Sequence, residues 1–178
     1  MASAAPTTSA QPVPAPGSDG LTPAPFDREA GYALLADLAG PAATTLAGLD
    51  ALAPGFPDWI VTSLFGGTYQ RPGLALRDRQ IANLAALTAL GGVEPQLADH
   101  VRYSRRIGMT EAEITEVIVH LAPYVGVPRT LAGLRVATAT FAEAAHEATD
   151  EAEATDEAEA ADDAEAAGEP TDDAEAEA

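Results

Sequence analysis

The sequence predicts an all-α fold, a bundle of about six helices held between two disordered ends. Between residues 27 and 147, apolar side chains recur every three to four residues, which is the spacing of helices that bury one face. No segment alternates between apolar and polar residues with the period of a strand. Glycines and prolines divide this region into segments of helical length, so one soluble, all-helical domain is expected.

Three helices are predicted before the centre of the domain. The first covers residues 27–38; it begins at an acid and stops before the Gly40-Pro41 pair. A short second helix covers residues 44–52. A third covers residues 56–64, and Gly66-Gly67 is expected to break it.

The segment 76–90 is the most apolar of the chain and is predicted to be the central buried helix. It follows the rigid turn Arg71-Pro72-Gly73 and closes at Gly91-Gly92. Its alanines and four larger residues leave little polar surface, so the helix should be buried almost all round. The four larger residues are Ile81, Leu84, Leu87 and Leu90.

Three more helices are predicted in the second half of the domain. The first of them covers residues 95–107. The segment Thr110-Glu111-Ala112-Glu113 has the pattern of a capping box, so a helix begins there and runs to about Tyr124. Pro128 opens the last helix, which is expected to end near Ala145.

The composition of the two ends sets the domain boundaries. Residues 1–25 are rich in alanine and proline and hold few large apolar side chains, so this segment is predicted to be disordered. Residues 148–178 repeat acids and alanines, and this acidic tail is predicted to be disordered because like charges repel and nothing packs. The helical domain is therefore assigned to residues 26–147.

The charge of the chain belongs mostly to the tail. The formal net charge is −19, but 15 of the 28 acids lie from Glu147 onward, which leaves 13 acids against nine arginines before it. No dense basic patch is present, so nucleic acid is not an expected partner. No apolar run is long enough to span a bilayer, and residues 1–20 lack the pattern of a signal peptide. A cytoplasmic protein with no membrane partner is expected.

Several chemistries are excluded by the residues that are missing. The chain has no cysteine, which excludes disulfides, thiolate metal sites and redox thiols. The histidines and acids show no metal-ligand spacing, and there is no phosphate loop or serine elbow. Neither a metal nor another cofactor is expected.

His100 is the first candidate for chemistry. On a helix over residues 95–107 it falls on the buried arc, close to Leu97 and Val101. From spacing alone, the favoured interpretation is a core histidine whose ring is satisfied by a backbone carbonyl. The alternative is a histidine in a dry active site, where it could move a proton.

Glu116 and His120 form the second candidate, because residues four apart share one face of a helix. A carboxylate beside a histidine favours the imidazolium and orients its ring, whereas the plainer interpretation is an exposed ion pair that contributes little. Tyr124 continues the same stripe, and Glu113 is assigned to the capping box.

Two arginines are candidates for binding an anion. Arg79 lies one turn into the most apolar predicted helix, and Arg71 precedes its Pro-Gly turn. An arginine beside so much apolar surface needs an anionic partner, which for Arg79 is Asp78, another subunit or a substrate carboxylate.

In combination these positions resemble the carboxymuconolactone decarboxylase family over residues 45–145. The resemblance rests on the order and spacing of several motifs. They are Tyr69-x-Arg71-Pro72-Gly73-Leu74, Arg79, Leu87-x-Ala89-Leu90-Gly91, His100, Gly108-x-Thr110 and Glu116-x-x-x-His120-x-x-x-Tyr124-x-Gly126-x-Pro128.

The resemblance implies the bundle shared with AhpD-type alkylhydroperoxide reductase partners, in subunits that assemble into rings, commonly hexamers. The AhpD-type branch carries Cys-x-x-Cys before the histidine that matches His100. This sequence has Val93 and Gln96 there, which excludes thiol peroxidase activity. Two departures leave the substrate open: Leu131 stands where family decarboxylases often carry asparagine, and Tyr69 stands where tryptophan is found.

The activity that the resemblance implies is cofactor-independent decarboxylation of a carboxylated lactone of the 4-carboxymuconolactone type, a carboxy-lyase reaction of aromatic catabolism. His100 is then the first choice of proton donor, and His120, tuned by Glu116, is the second. The residues expected to bind the small anionic substrate are Arg71, Arg79 and Tyr124.

Two other functions remain open. One is a non-catalytic or stress-associated paralogue, in which the motifs only build the fold. The other is a biosynthetic tailoring enzyme that acts on another carboxylated ring. An enzyme requires Arg79, His100 and His120 to converge on one closed pocket, so their placement bears on the choice.

Overall fold

The computed structural model describes residues 23–40, 46 and 48–166. Within these ranges there is no β-strand, which confirms the all-α prediction. The disorder predicted for residues 1–22 and 167–178 lies outside the described residues, as do positions 44, 45 and 47 of the predicted second helix. The chain divides into two units at Ala137, and every candidate residue belongs to the first unit.

The helices follow the predicted order along the chain. They are α1 (Arg28–Ala39), α2 (Leu49–Leu52), α3 (Phe56–Ile60), the π-helix Val61–Thr68, α4 (Leu76–Leu90), α5 (Glu94–Arg106), α6 (Glu111–His120), α7 (Ala122–Val125) and α8 (Val127–Ala166).

The predicted break at Gly66-Gly67 is wrong, because the chain continues through both glycines as a π-helix. The Tyr69 amide donates to the Leu64 carbonyl, five residues earlier, at 2.9 Å. Both glycines are buried, and a Cβ on Gly66 would overlap the carbonyl oxygen of Asp27. Gly66 therefore serves close packing of α1 against this helix rather than helix termination.

The bounds of α4 match the prediction, but its burial does not. Its fully buried side chains are Gln80, Leu84 and Thr88, which lie on one face, while Leu90 is 63% exposed in the single chain. The helix packs against both α5 and α6. The helix is central in position, but only one side of it is buried. Alanines and polar residues occupy much of its other sides.

The capping box at the start of α6 is confirmed. The Glu113 amide donates to the Thr110 hydroxyl oxygen at 3.2 Å, and the Thr110 amide donates to the Glu113 carboxylate at 2.8 Å. The helix ends at His120 rather than near Tyr124. Pro123, which lacks an amide hydrogen, lies in the first turn of the separate helix α7.

Helix α8 continues to Ala166, well beyond the end predicted near Ala145. Residues 148–166, predicted to be disordered, are thus helical. Alanine has the highest helix propensity, and residues 148–167 contain neither glycine nor proline, so local preference outweighs the charge repulsion on which the prediction rested. No helix of the described segments has the length and apolar character needed to cross a membrane.

Candidate active site

His100 lies on α5 with its ring directed towards α4. Its Nδ1 is 2.8 Å from the side-chain oxygen of Gln80, which is fully buried. The ring of Tyr103 stands edge-on to the imidazole, with 5.3 Å between ring centres. The ring is therefore satisfied as expected for a core histidine, but by a side-chain amide rather than the predicted backbone carbonyl.

Burial determines the protonation state of His100. Desolvation lowers the pKa of its imidazole to about 4, and the nearby charge of Asp99 opposes this only in part. The ring is consequently neutral at neutral pH. The family resemblance makes His100 the first choice of proton donor, and a neutral ring must first gain a proton to act as one.

Two further polar side chains continue this buried network. The Gln80 amide nitrogen lies 3.4 Å from the Tyr69 hydroxyl, and the Asn83 amide donates to the same oxygen at 2.5 Å. Burial raises the pKa of Tyr69, so its hydroxyl stays protonated. The sequence analysis missed Gln80 and Asn83. The available signal was a pair of amides three residues apart within the most apolar helix of the chain.

Arg79 connects the two predicted arginines to this network. Its guanidinium donates to the backbone carbonyl of Arg71 at 2.5 Å, and its central carbon lies 6.0 Å from the centre of the Tyr69 ring. The expected partner Asp78 is not used. The structure therefore connects the Arg79 side chain to His100 through Tyr69 and Gln80, and Arg71 joins this chain of contacts by its backbone carbonyl.

Arg71 and Arg79 combine half-burial with the lack of a carboxylate partner. Arg106, Arg129 and Arg135 also show no carboxylate partner among the described residues, but all three are exposed. Four arginines pair with carboxylates at 2.6–3.3 Å. These pairs are Arg28–Asp58, Arg77–Glu113, Arg102–Asp99 and Arg105–Glu111. Among the described residues, no carboxylate pairs with Arg71 or Arg79, although both are half-buried. Their charge is uncompensated within this part of the chain.

His120 and Glu116 lie elsewhere, on an open cavity of about 380 Å³ between α4 and α6. Both side chains are exposed, and no contact between them is found within the described chain. The Tyr124 ring centre is 5.6 Å from that of His120, and Tyr124 is 74% exposed. The cavity is lined by Arg77, Ile81, Ala85, Glu113, Glu116, Val117, His120 and Leu121.

The two histidines therefore do not share a cavity in the single chain. The cavity at His120 contains neither Arg79 nor His100. On α4, Gln80 faces His100, whereas Arg77 and Ile81 face the cavity of His120. Arg79, His100 and His120 therefore do not converge on one closed cavity in the part of the chain that the structure describes, although side-chain contacts connect Arg79 to His100. No cluster of three or more metal-binding side chains occurs in the described segments.

This chain belongs to the Carboxymuconolactone decarboxylase family, whose sequence pattern matches residues 54–139, a span that contains all six candidate residues. It is 32% identical over 96 residues to an uncharacterized 15.0 kDa protein of Paracoccus denitrificans, a match that covers 53% of this chain and 72% of that protein. It is 34% identical over 86 residues to 4-carboxymuconolactone decarboxylase of Acinetobacter baylyi, covering 48% of this chain and 63% of that enzyme.

Proposed function

We propose that this protein is a carboxy-lyase that decarboxylates a small carboxylated lactone of the 4-carboxymuconolactone type without a cofactor. The family and the similarity to a decarboxylase support this class of reaction. One observation in the structure carries the proposal. The half-buried Arg79, which has no carboxylate partner, contacts the Arg71 carbonyl and is linked through Tyr69 and Gln80 to a largely buried, neutral histidine.

The arginines supply the binding of the anion. A 4-carboxymuconolactone-type substrate carries two carboxylates, and a guanidinium can hold a carboxylate through two parallel hydrogen bonds. Arg71 and Arg79 offer this charge without first having to leave an internal carboxylate. The contact from Arg79 to the Arg71 carbonyl keeps the Arg79 guanidinium beside the Arg71 backbone.

The substrate itself supplies the electron sink. The bond between the ring carbon and the departing carboxylate breaks, CO2 leaves, and the electron pair passes into the unsaturated lactone as a dienolate. Apolar surroundings favour this step, because they destabilise the localised carboxylate more than the delocalised dienolate. One proton must then be added to the ring carbon, which gives a lactone that keeps the second carboxylate as its only charge.

His100 delivers that proton only after it has acquired one. A bound dianion favours the imidazolium, because an opposite charge offsets the cost of burying it. His100 therefore takes up a proton from solvent when substrate binds and passes it to the ring carbon. In the free protein, burial lowers the pKa of His100 to about 4, so the charge of the bound substrate is needed for the ring to hold this proton at neutral pH.

His120 and Glu116 remain the alternative acid pair in this proposal, and Tyr124 remains a candidate donor to the lactone oxygen. Their cavity is large enough for a small cyclic acid, and Arg77 at its wall is paired with Glu113. They rank second because they are exposed and lie away from Arg71 and Arg79.

The direct test is turnover of 4-carboxymuconolactone, followed by ultraviolet absorbance and by release of CO2. We expect saturable loss of the substrate band with one CO2 per lactone consumed. Absence of both signals with this lactone and with other carboxylated five-membered lactones would overturn the decarboxylase proposal. The alternative of a non-catalytic paralogue would then be favoured, because the Gln80–His100 bond also satisfies the ring of a purely structural histidine. Turnover of a different carboxylated ring would favour the tailoring enzyme.

We also propose that the protein is a homo-oligomer, with a ring such as a hexamer as the expected form. Several large apolar side chains are exposed in the single chain, and a small domain buries a limited share of its surface alone. They include Leu90, Val119, Val127 and Leu131. Light scattering at micromolar concentration should give a mass several times that of the 18.1 kDa chain. A monomer mass would contradict this proposal.

A further inference from the structure

We infer that Gln80 is a positioning residue for His100: its carbonyl oxygen holds the ring proton on Nδ1 and so leaves Nε2 as the nitrogen that gains and loses the catalytic proton. The catalytic meaning of this inference rests on the proposed decarboxylase function. The hydrogen bond itself does not, and it is tested without substrate.

The chemistry of the two atoms in this contact determines where the ring proton lies. The Gln80 side-chain oxygen accepts hydrogen bonds and cannot donate them, and it lies 2.8 Å from Nδ1 of His100. A neutral imidazole has a single N–H, so a hydrogen bond to this oxygen requires the proton to be on Nδ1. Nε2 then carries a lone pair in the free protein.

The surroundings of Gln80 restrain its amide. The side chain is fully buried, so water does not offer an alternative partner. Its nitrogen lies 3.4 Å from the Tyr69 hydroxyl oxygen, which also accepts a hydrogen bond from the Asn83 amide at 2.5 Å. A reversed amide would place an N–H against Nδ1 and would force the ring proton onto Nε2. The tautomer of His100 therefore reports which way Gln80 is held.

This arrangement suits a group that must be charged and discharged. The imidazolium has an N–H at both nitrogens, so the bond from Nδ1 to the Gln80 oxygen persists when Nε2 gains a proton. The ring can thus cycle between its two charge states without turning. A neutral acceptor also leaves the imidazole neutral in the absence of an anion, whereas a carboxylate at this position would hold it charged.

The first experiment determines the tautomer in the full-length protein at pH 7. Histidine is labelled with nitrogen-15, ring nitrogens are recorded by NMR, and the His100 signals are assigned by their loss in His100→Gln. We expect Nδ1 to be protonated and Nε2 to be bare. In Gln80→Leu the acceptor is gone, and the Nδ1-protonated population should fall. A wild-type ring protonated on Nε2, or an unchanged tautomer in Gln80→Leu, would overturn the inference.

The second experiment replaces the neutral acceptor with a charged one of the same shape. In Gln80→Glu the titration midpoint of His100 should rise by about 1–3 pH units, as expected for a histidine beside a carboxylate. Ala82→Glu is the matched control, because it adds the same charge to an exposed position of α4. Equal midpoints in the two variants would show that residue 80 does not contact the ring.

Kinetics then separate this inference from the proposed function. If the wild type turns over a lactone, Gln80→Leu should lower kcat while KM stays nearly constant, by no more than the ~10²–10⁴-fold that loss of general acid catalysis costs. Unchanged kcat in a variant whose tautomer has shifted would remove Gln80 from the mechanism. If the wild type is inactive, the decarboxylase proposal fails, and the NMR result still decides what Gln80 does to the ring.

Discussion

His100 and His120 lie on neighbouring helices that both pack on α4, yet their surroundings differ in every respect that matters for chemistry. His100 is largely buried, hydrogen-bonded to Gln80 and linked by side chains to Arg79. His120 is exposed on an open cavity whose nearest arginine, Arg77, is already paired with Glu113. The first histidine has a hydrogen-bonded ring and a lowered pKa, whereas the second shows no hydrogen bond among the described residues and contacts the exposed ring of Tyr124.

The difference shows that the packing partner determines what a histidine can do. In sequence, the pair formed by Glu116 and His120 has the more suggestive spacing, because residues four apart on a helix share a face. In the described part of the structure, Glu116 makes no contact with His120, whereas Gln80, which is 20 residues away in sequence, contacts His100.

The largest effect is expected from removing each histidine in turn. His100→Gln should lower kcat by ~10²–10⁴, as expected for a lost general acid, and should leave KM almost unchanged. His120→Gln, the matched control, should retain most of the activity. The lactone assay measures both variants, and melting curves confirm that each is folded. The reverse pattern would transfer the role of acid to His120.

The pH dependence distinguishes a histidine that must be charged from one that only packs. Because the pKa of His100 is about 4 in the free protein, kcat/KM should fall about tenfold per pH unit between pH 5 and 8. The bound dianion raises that pKa, so kcat should decline only at higher pH. The dependence should disappear in His100→Gln. A flat kcat/KM profile in the wild type would contradict proton donation by this ring.

A smaller effect is expected at the arginines. Arg79→Ala should raise KM by about 10–100-fold, because a charge-assisted hydrogen bond contributes about 1.5–3 kcal/mol. Arg77→Ala is the control, since Arg77 forms an exposed ion pair with Glu113 and lies on the other face of α4. Similar KM values for the two variants would remove the distinction between paired and unpaired arginines.

The smallest effect concerns stability and needs no substrate. The folded pKa of His100 is lowered from 6.5 to about 4, so in that interval the unfolded chain binds more protons than the folded one. Stability should therefore fall as pH drops through this window, by roughly 1–2 kcal/mol on reaching pH 5. Urea unfolding of wild type and His100→Gln at pH 7 and pH 5 measures the difference. Equal losses in both proteins would show that His100 is not held neutral by burial.

The sequence predicted the helices well because their boundaries are local. The capping box at Thr110 and the glycines after α4 depend on residues within one turn, and both are placed correctly. Gly66 was misjudged because its role is set by Asp27, which is distant in sequence. The end of α8 was misjudged because helix propensity and charge repulsion oppose each other there, and their balance is not visible in the pattern.

The candidate site was predictable only in part. The sequence identified His100 as buried and linked it to Arg71 and Arg79 through the family motifs. It did not identify Gln80 or Asn83, because their partners His100 and Tyr69 lie on other elements of the fold and the pairing is not visible in the sequence. It also grouped His120 with His100. In the structure the two histidines contact different sides of α4, with Gln80 on the side of His100 and with Arg77 and Ile81 on the side of His120.

The π-helix has a consequence for how related chains can vary in length. A π-helix turn holds one residue more than an α-helix turn needs, so a chain one residue shorter at Val61–Thr68 can close the same span with ordinary α-helical hydrogen bonds. Each residue of an α-helix turns the chain by about 100°, so such a deletion would swing the side chain at position 69 away from Asn83. Relatives that keep the extra residue should therefore also keep an amide at position 83. Relatives that lack it should be free to replace both the tyrosine at position 69 and the amide at position 83.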